Sequence, residues 1–455
     1  MATKDSLISP RLTALKQEIE AGNVSALDAF WREVAEQGTP LIEPIKDDDK
    51  HSLVTLLWRA EEETKNVVVV GGLGGADFIR NQMARLLDTD LWYRTYRVRN
   101  DLRTTYQLSP NDSLIPEDEV EDWEERTATY QHDPLNPRKY VFPKNDEQPE
   151  EKERIVSVVE LPAAPPQPWI KPRSGVSASQ VQPFRLRSEI LNNERRIFIY
   201  TPPGYTPGGE PYGLLMLFDG WGYIYIIPTP TILDNLLAEG YLPPLVAVMV
   251  DSPNWETRNR ELPCYPPFAE FLAHELTPWV RQHYHVSSDP AQTIVGGASY
   301  GGLAATFAGL RHPEIFGNIL SLSGSFSWKP DDDIEYEWLA RQFAASPTLP
   351  LRFYLSPGLL ETWPMMPSGP GILTSNRHMR NILQAKGYPL YYAEYNGGHD
   401  VICWQGTLAD GLLALIEKDK VKKPKSVRKR VAHKKMVATE QSERKKKRRK
   451  HVNQG

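Results

Sequence analysis

Two cysteines, Cys264 and Cys403, are too few for a disulfide framework in a chain of 455 residues, and their scarcity fits a reducing compartment. No run of about 18 apolar residues occurs, so no membrane-spanning helix is expected. The opening stretch, MATKDSLISPRLTALKQEIE, lacks the apolar core of a secretory leader, and a cytoplasmic location is expected. Internal repeats are absent. His283 and His285 form an H-x-H pair with no third ligand nearby, so no metal or other cofactor is expected.

What is present describes a globular protein. The chain is 40% hydrophobic and 24% charged, with 39 prolines and 30 glycines that imply many turns. Its length favours two or three domains. The net charge of −5 conceals an asymmetry: the 17 Lys and Arg against three Asp and Glu after Glu417 give that tail +14 and leave the rest of the chain at −19. The tail has few apolar residues to bury, so 418–455 is expected to be a disordered basic extension open to nonspecific polyanion contact.

Apolar spacing at Leu12, Leu15 and Ile19, then Leu27 and Phe30, predicts one or two amphipathic helices over 11–36. Strand-like runs at 51–58, 67–70, 90–98 and 104–108 predict a small β domain. Residues 111–154 are acidic and turn-rich and read as irregular surface, and 162–183 is Pro-rich. Beyond Arg195, strand-like runs alternate with helical ones, which predicts a mostly parallel sheet flanked by helices. The expected division is a helical segment at 1–45, a β domain at 46–160, a linker at 161–184, an α/β domain at 185–417 and the tail.

One motif carries chemistry. An apolar strand over 293–296 enters Gly297-Ala298-Ser299-Tyr300-Gly301, and a small-residue helix follows. This is G-x-S-x-G in the strand–turn–helix setting of a nucleophile elbow, and it makes Ser299 the candidate nucleophile. Serine needs a base. His399 follows a strand and lies downstream of the serine, in the hydrolase order, whereas His274, His283 and His312 read as surface or packing residues. Glu361, after the strand at 351–355, is the candidate to orient the imidazole. Oxyanion donors are expected from the N–H of Tyr300 and from the loop Asp219-Gly220-Trp221-Gly222, at Trp221 or Gly220. The cluster Gly71-Gly72-Leu73-Gly74-Gly75 follows a strand but lacks the third spaced glycine of a dinucleotide loop, and a turn between strands is the plainer reading.

The chain resembles the enterochelin (ferric enterobactin) esterases over roughly 45–417. The matching segments include Leu217-Phe218-Asp219-Gly220, Arg258-Asn259-Arg260-Glu261-Leu262-Pro263-Cys264, Val295 to Gly302, Leu320 to Ser325, and Gly397-Gly398-His399-Asp400 leading to Cys403-Trp404. Val54 to Arg59, Asp90-Leu91-Trp92 and Asp133 to Pro137 resemble the family's N-terminal module. The resemblance implies an immunoglobulin-like β-sandwich followed by an α/β-hydrolase domain of the esterase D-like kind. It implies hydrolysis of a trilactone catecholate siderophore in the cytoplasm to release iron, which enters only as part of the substrate. It carries the nucleophile onto Ser299, the base onto His399 and the acid onto Glu361, while Trp363 to Gly371 looks like an insertion.

A ferric catecholate is anionic and aromatic, and an acidic body must meet it with local cations. Arg258, Arg260 and Arg377 are the expected substrate-binding cations, with Trp221 and Tyr300 as aromatic walls. Two other functions are compatible with these residues: hydrolysis of aryl, sugar or acyl-thiol esters, and binding without catalysis at a vestigial site.

Overall fold

The computed structural model describes residues 8–61, 63–75, 79–115, 119–148, 150–364 and 369–416. The basic tail lies outside them. Two helices, Pro10–Glu20 and Ala26–Gln37, open the chain as the apolar spacing predicts. They lay Leu12, Leu15, Phe30 and Val34 against Leu57, Leu91 and Tyr93 of the sheet that follows.

Eight strands come next: β1 (Leu41–Ile45), β2 (Asp48–Arg59), β3 (Val67–Gly71), β4 (Ala84–Arg85), β5 (Leu91–Arg99), β6 (Arg103–Pro110), β7 (Lys139–Phe142) and β8 (Arg154–Glu160). They form two antiparallel four-stranded sheets, in the orders β1-β2-β5-β4 and β3-β6-β8-β7. Val54 and Leu56 of the first share a core with Val67, Val69, Tyr106, Leu108 and Val159 of the second. β1 falls where helix alone was expected, because its partner β2 supplies a ladder the local sequence does not advertise. The stretch 111–154, expected to be irregular, contains the short helix Trp123–Thr127 and β7. Gly71 to Gly75 is a turn after β3, as read, with Gly75 N–H bonded to Gly71 O at 2.7 Å.

The remaining strands, β9 (Gln180–Ser188), β10 (Asn193–Thr201), β11 (Gly213–Phe218), β12 (Leu245–Val250), β13 (Thr293–Ala298), β14 (Asn318–Leu322), β15 (Arg352–Ser356) and β16 (Leu390–Tyr392), build one sheet in the order β16-β15-β14-β13-β11-β12-β10-β9. Pairing is parallel from β12 to β16 and antiparallel at β9 and β10. Successive side chains of a strand point to opposite faces. Leu214, Met216 and Phe218 therefore enter one core with Phe268, Leu303 and Phe307, while Leu215 and Leu217 enter another with Leu233, Trp404 and Leu412. Helices cover both faces, which leaves the C-terminal ends of the parallel strands as the place where loops can build a site. Among the described residues no helix is long and apolar enough to cross a membrane.

Candidate active site

β13 is buried along its length and ends at Ser299, whose φ of 57° and ψ of −123° are costly for a residue with a Cβ. The two motif glycines explain how the turn closes. A Cβ on Gly297 would lie 2.7–2.9 Å from the backbone of Gly301, so position 297 must be glycine for the strand to pass into the helix Tyr300–Arg311. Ser299 N–H donates to Leu322 O at 2.9 Å, its carbonyl accepts from Ser325 N–H at 3.1 Å, and its Oγ is 3.2 Å from Ser325 Oγ. Tyr300 occupies the first position of the helix, where an N–H has no intrahelical acceptor and the helix dipole favours negative charge.

His399 stands on the loop after β16, and its Nδ1 is 2.5 Å from Glu361 Oε1. Glu361 is 1% exposed, and its other oxygen accepts from Gly358 N–H at 2.5 Å and Ser323 Oγ at 2.9 Å. A carboxylate on Nδ1 keeps the proton there and leaves Nε2 with the lone pair, the arrangement a general base requires. Trp404 packs edge-on against the imidazole at 4.8 Å and donates its Nε1–H to Ser323 Oγ at 3.1 Å. Ser323 is also 2.8 Å from the Tyr395 hydroxyl. Ser299 and His399 both line a cavity of about 980 Å³, whose walls come from the C-terminal ends of the parallel strands and from the N-terminal β region. Resting hydrogen bonds of a serine–histidine pair commonly tighten only around substrate.

The other expected site residues divide. Trp221 lines the cavity, but its N–H donates to Asp251 Oδ1 at 3.3 Å, so that donor is already engaged. The reason is tertiary: β11 and β12 are neighbours, and Asp251, just past β12, sits under the loop after β11. Gly220 begins the helix Gly220–Tyr225, and a Cβ there would lie 2.8 Å from Met249 O. Arg258 lines the cavity between the rings of Trp255 and Tyr300, at 5.2 and 5.9 Å, but its guanidinium is forked onto Asp219 at 2.6 and 2.8 Å. Arg260 and Arg377 are not among the cavity residues. Arg260 pairs with Glu261 at 3.3 Å, and Arg377 is forked onto Glu394 at 2.7 and 2.8 Å.

Sequence reasoning missed Ser323, Ser325, Tyr395 and the cavity cations Lys152 and Arg154. Arg154 lies 4.3 Å over the Phe142 ring at the start of β8, inside the stretch read as irregular. The one available signal was Leu320-Ser321-Leu322-Ser323-Gly324-Ser325, a strand running into small polar residues. Glu270, His274 and His312 have ligand atoms within 4.8 Å of one another, but none lines the cavity and Glu270 is held by Arg311 at 3.0 Å. Both cysteines are buried, and burial pushes their thiols well above the usual range.

A serine at a strained strand–helix turn and a histidine backed by a buried carboxylate define a carboxylic ester hydrolase. The esterase family model matches residues 188–415, and the model of the enterochelin esterase N-terminal region matches 53–170. The iron(III) enterobactin esterase of Dickeya dadantii is 31% identical over 431 residues, covering 86% of this chain and 93% of that protein. The iron(III) enterobactin esterase of Escherichia coli K12 is 30% identical, over 81% and 92%. The crystal structure of the Shigella flexneri enterobactin esterase with enterobactin superposes with a TM-score of 0.66 at 28% identity, over 85% of this chain and 97% of that one. The chain belongs to the iron(III) enterobactin esterase family.

Proposed function

We propose that this protein hydrolyses the ester bonds of a trilactone catecholate siderophore carrying ferric iron, with Ser299 as nucleophile, His399 as base and Glu361 as its orienting acid. The observation that carries this reading is the 2.5 Å contact between His399 Nδ1 and a buried Glu361, on a cavity that Ser299 also lines. Ser299 Oγ attacks the ester carbonyl as its proton passes to His399 Nε2. The Tyr300 N–H faces the developing oxyanion. The C–O bond to the neighbouring serine unit breaks, and that oxygen takes the proton from His399. Water, deprotonated by the same imidazole, then cleaves the acyl-enzyme. Each cycle consumes one water and yields one acid and one alcohol.

The substrate class rests on the relatives' activity and on the cavity. About 980 Å³ accommodates a large ligand, aromatic walls include Trp221, Trp255 and Trp404, and Arg154 and Lys152 offer positive charge. We read the two N-terminal sheets as an immunoglobulin-like sandwich, supported by their shared core. We divide the chain into an N-terminal β region and an esterase domain, with β1 assigned to the β region through its pairing with β2 and β9 to the esterase sheet through its pairing with β10, each across a boundary read from sequence. Free buried thiols support a cytoplasmic site of action. The +14 tail serves as a salt-sensitive polyanion contact.

The test is mass spectrometry of products from ferric and iron-free trilactone siderophores. Linear trimer, heavier than the trilactone by one water, is expected first, followed by dimer and monomer, with one water consumed for each ester bond cleaved. Intact trilactone in both reactions, with an aryl acetate still turned over, would replace this substrate with another ester.

A further inference from the structure

The loop that carries His399 is built against the N-terminal β region, and the contact is made by the residues flanking the histidine. Asp400, the next residue, occupies the N-cap of the helix Val401–Leu415. An aspartate there ordinarily accepts from N–H groups of the first turn, which is worth about 1 kcal/mol. Asp400 makes no such side-chain cap. Its carboxylate turns away and accepts from the hydroxyls of Thr104 and Thr105 and from Thr105 N–H at 3.0 Å, all on β6 and about three hundred positions away in sequence. Asp400 is 7% exposed, so its carboxylate is satisfied mainly by these donors, although Thr105 and Asp400 also border the cavity.

The residues before the histidine complete the contact. A Cβ on Gly398 would lie 2.9 Å from Gly72 Cα, and one on Gly397 would collide with Arg103 O. Gly72 has no room for a Cβ either, because Thr104 Oγ1 fills that space. Glycine is thus required at Gly72 on one side and at Gly397 and Gly398 on the other for the two backbones to approach. Arg103 N–H donates to Asn396 O at 3.0 Å, Cys403 Sγ to Arg103 O at 3.1 Å, and Asn396 Nδ2 to Asp101 Oδ1 at 2.8 Å. The esterase domain holds the same loop from its other side, through Leu359 N–H to Tyr395 O at 2.8 Å, Leu360 N–H to Gly397 O at 3.0 Å and Glu361 to His399.

We infer that Asp400, clamped by Thr104 and Thr105, is a positioning residue for His399, and that the N-terminal β region is thereby a structural part of the catalytic base. This rests on the assignment of His399 proposed above. Misplacing a catalytic group by about 1 Å can cost on the order of 100-fold in rate. The clamp fixes the backbone immediately after His399, so its loss is expected to act on turnover more than on binding of a small ester.

The experiment compares the full-length protein with the double variants Thr104→Val/Thr105→Val and Thr104→Ser/Thr105→Ser on an aryl acetate. The valine pair keeps the shape and removes both hydroxyls. Its kcat is expected to fall about tenfold or more, with KM unchanged, and the downfield NMR line of the His399 Nδ1 proton is expected to shift or broaden. The serine pair restores hydroxyls and is expected to recover kcat. A valine pair with wild-type kcat and an unmoved imidazole proton overturns the proposal, even if its melting temperature is lower. If the valine pair does not fold, Asp400→Ala, which removes every clamp acceptor, replaces it, with the same two readouts and the same overturning result. Ser299→Ala and His399→Ala, run alongside, separate the cases: activity surviving in those variants removes the underlying assignment, whereas their inactivity beside a fully active valine pair removes the clamp alone.

Discussion

His399 Nδ1 and Glu361 Oε1 are 2.5 Å apart, although 38 residues separate them in the chain. Glu361 lies past β15 and His399 past β16, and these strands pair in parallel, so both side chains emerge at the C-terminal end of the strands. The remaining Glu361 oxygen is taken by Gly358 N–H and Ser323 Oγ. The carboxyl group thus has one orientation available, and it dictates which imidazole nitrogen carries the proton.

Replacing Glu361 by glutamine tests that orientation. The amide oxygen suits the two donors at Gly358 and Ser323, which turns the amide NH₂ toward His399 Nδ1. The imidazole is then expected to protonate on Nε2 and lose its function as base, lowering kcat by up to about 10⁴-fold with the fold intact. Steady-state kinetics of Glu361→Gln beside His399→Ala would measure this. Wild-type turnover in Glu361→Gln would move the acid role elsewhere.

Ser299→Ala is expected to lower kcat by several orders of magnitude, to a residue sustained by oxyanion donors and binding. Its stability should change little, because Ser299 Oγ makes a single 3.2 Å contact with Ser325. Ester hydrolysis above about a tenth of wild type would remove Ser299 from the nucleophile role.

Two cavity arginines should behave differently. Arg154 stacks on Phe142, whereas Arg258 is forked onto Asp219. Arg154→Ala is expected to raise KM for a ferric catecholate several-fold and to leave a neutral aryl ester unaffected. Arg258→Ala leaves Asp219 unpaired beside the cavity and should impair both substrates. Equal losses for Arg154→Ala on the two esters would make it structural.

Arg195 and Glu261 form an ion pair with side-chain exposures of 0% and 1% at 2.7 Å. Breaking a pair of this kind strands a buried charge. Glu261→Ala is expected to destabilise the protein by about 3–5 kcal/mol in urea unfolding. A loss below about 1 kcal/mol, the range of an exposed pair, would contradict the burial argument.

Glu394 accepts from Arg377 and from the Tyr392 hydroxyl, and these contacts, Arg377 first, lower its pKa. A depressed folded pKa contributes stability above the unfolded value, near 4.3, and that contribution is lost as pH falls through the folded one. Arg377 is 43% exposed, so solvent screening holds the effect to about 1 kcal/mol or less. Glu394→Gln should flatten the acid decline of stability below about pH 4.3 and leave kcat near wild type. An unchanged acid decline would assign it to other carboxylates.

Local backbone demands made part of this protein legible in its sequence. G-x-S-x-G can be read because the constraint lies within five residues: Gly297 meets Gly301 across the turn that exposes Ser299. β11 to β15 could be read because strands buried on both faces are nearly continuous apolar runs. His399 and Glu361 followed from strand ends and chain order. Only the tertiary structure decided which charges remain available. The Arg258–Arg260 run reads as a cationic patch, yet Asp219 comes from another strand end to neutralise Arg258, and Glu261 turns inward to Arg195 of β10. β7 lies among acidic and turn residues, and its pairing with β8 makes it a strand. The contacts of Asp400 with Thr104 and Thr105 span about 295 positions. Hydrogen bonds of that reach leave no periodic trace, because their geometry comes from how two separately built sheets dock.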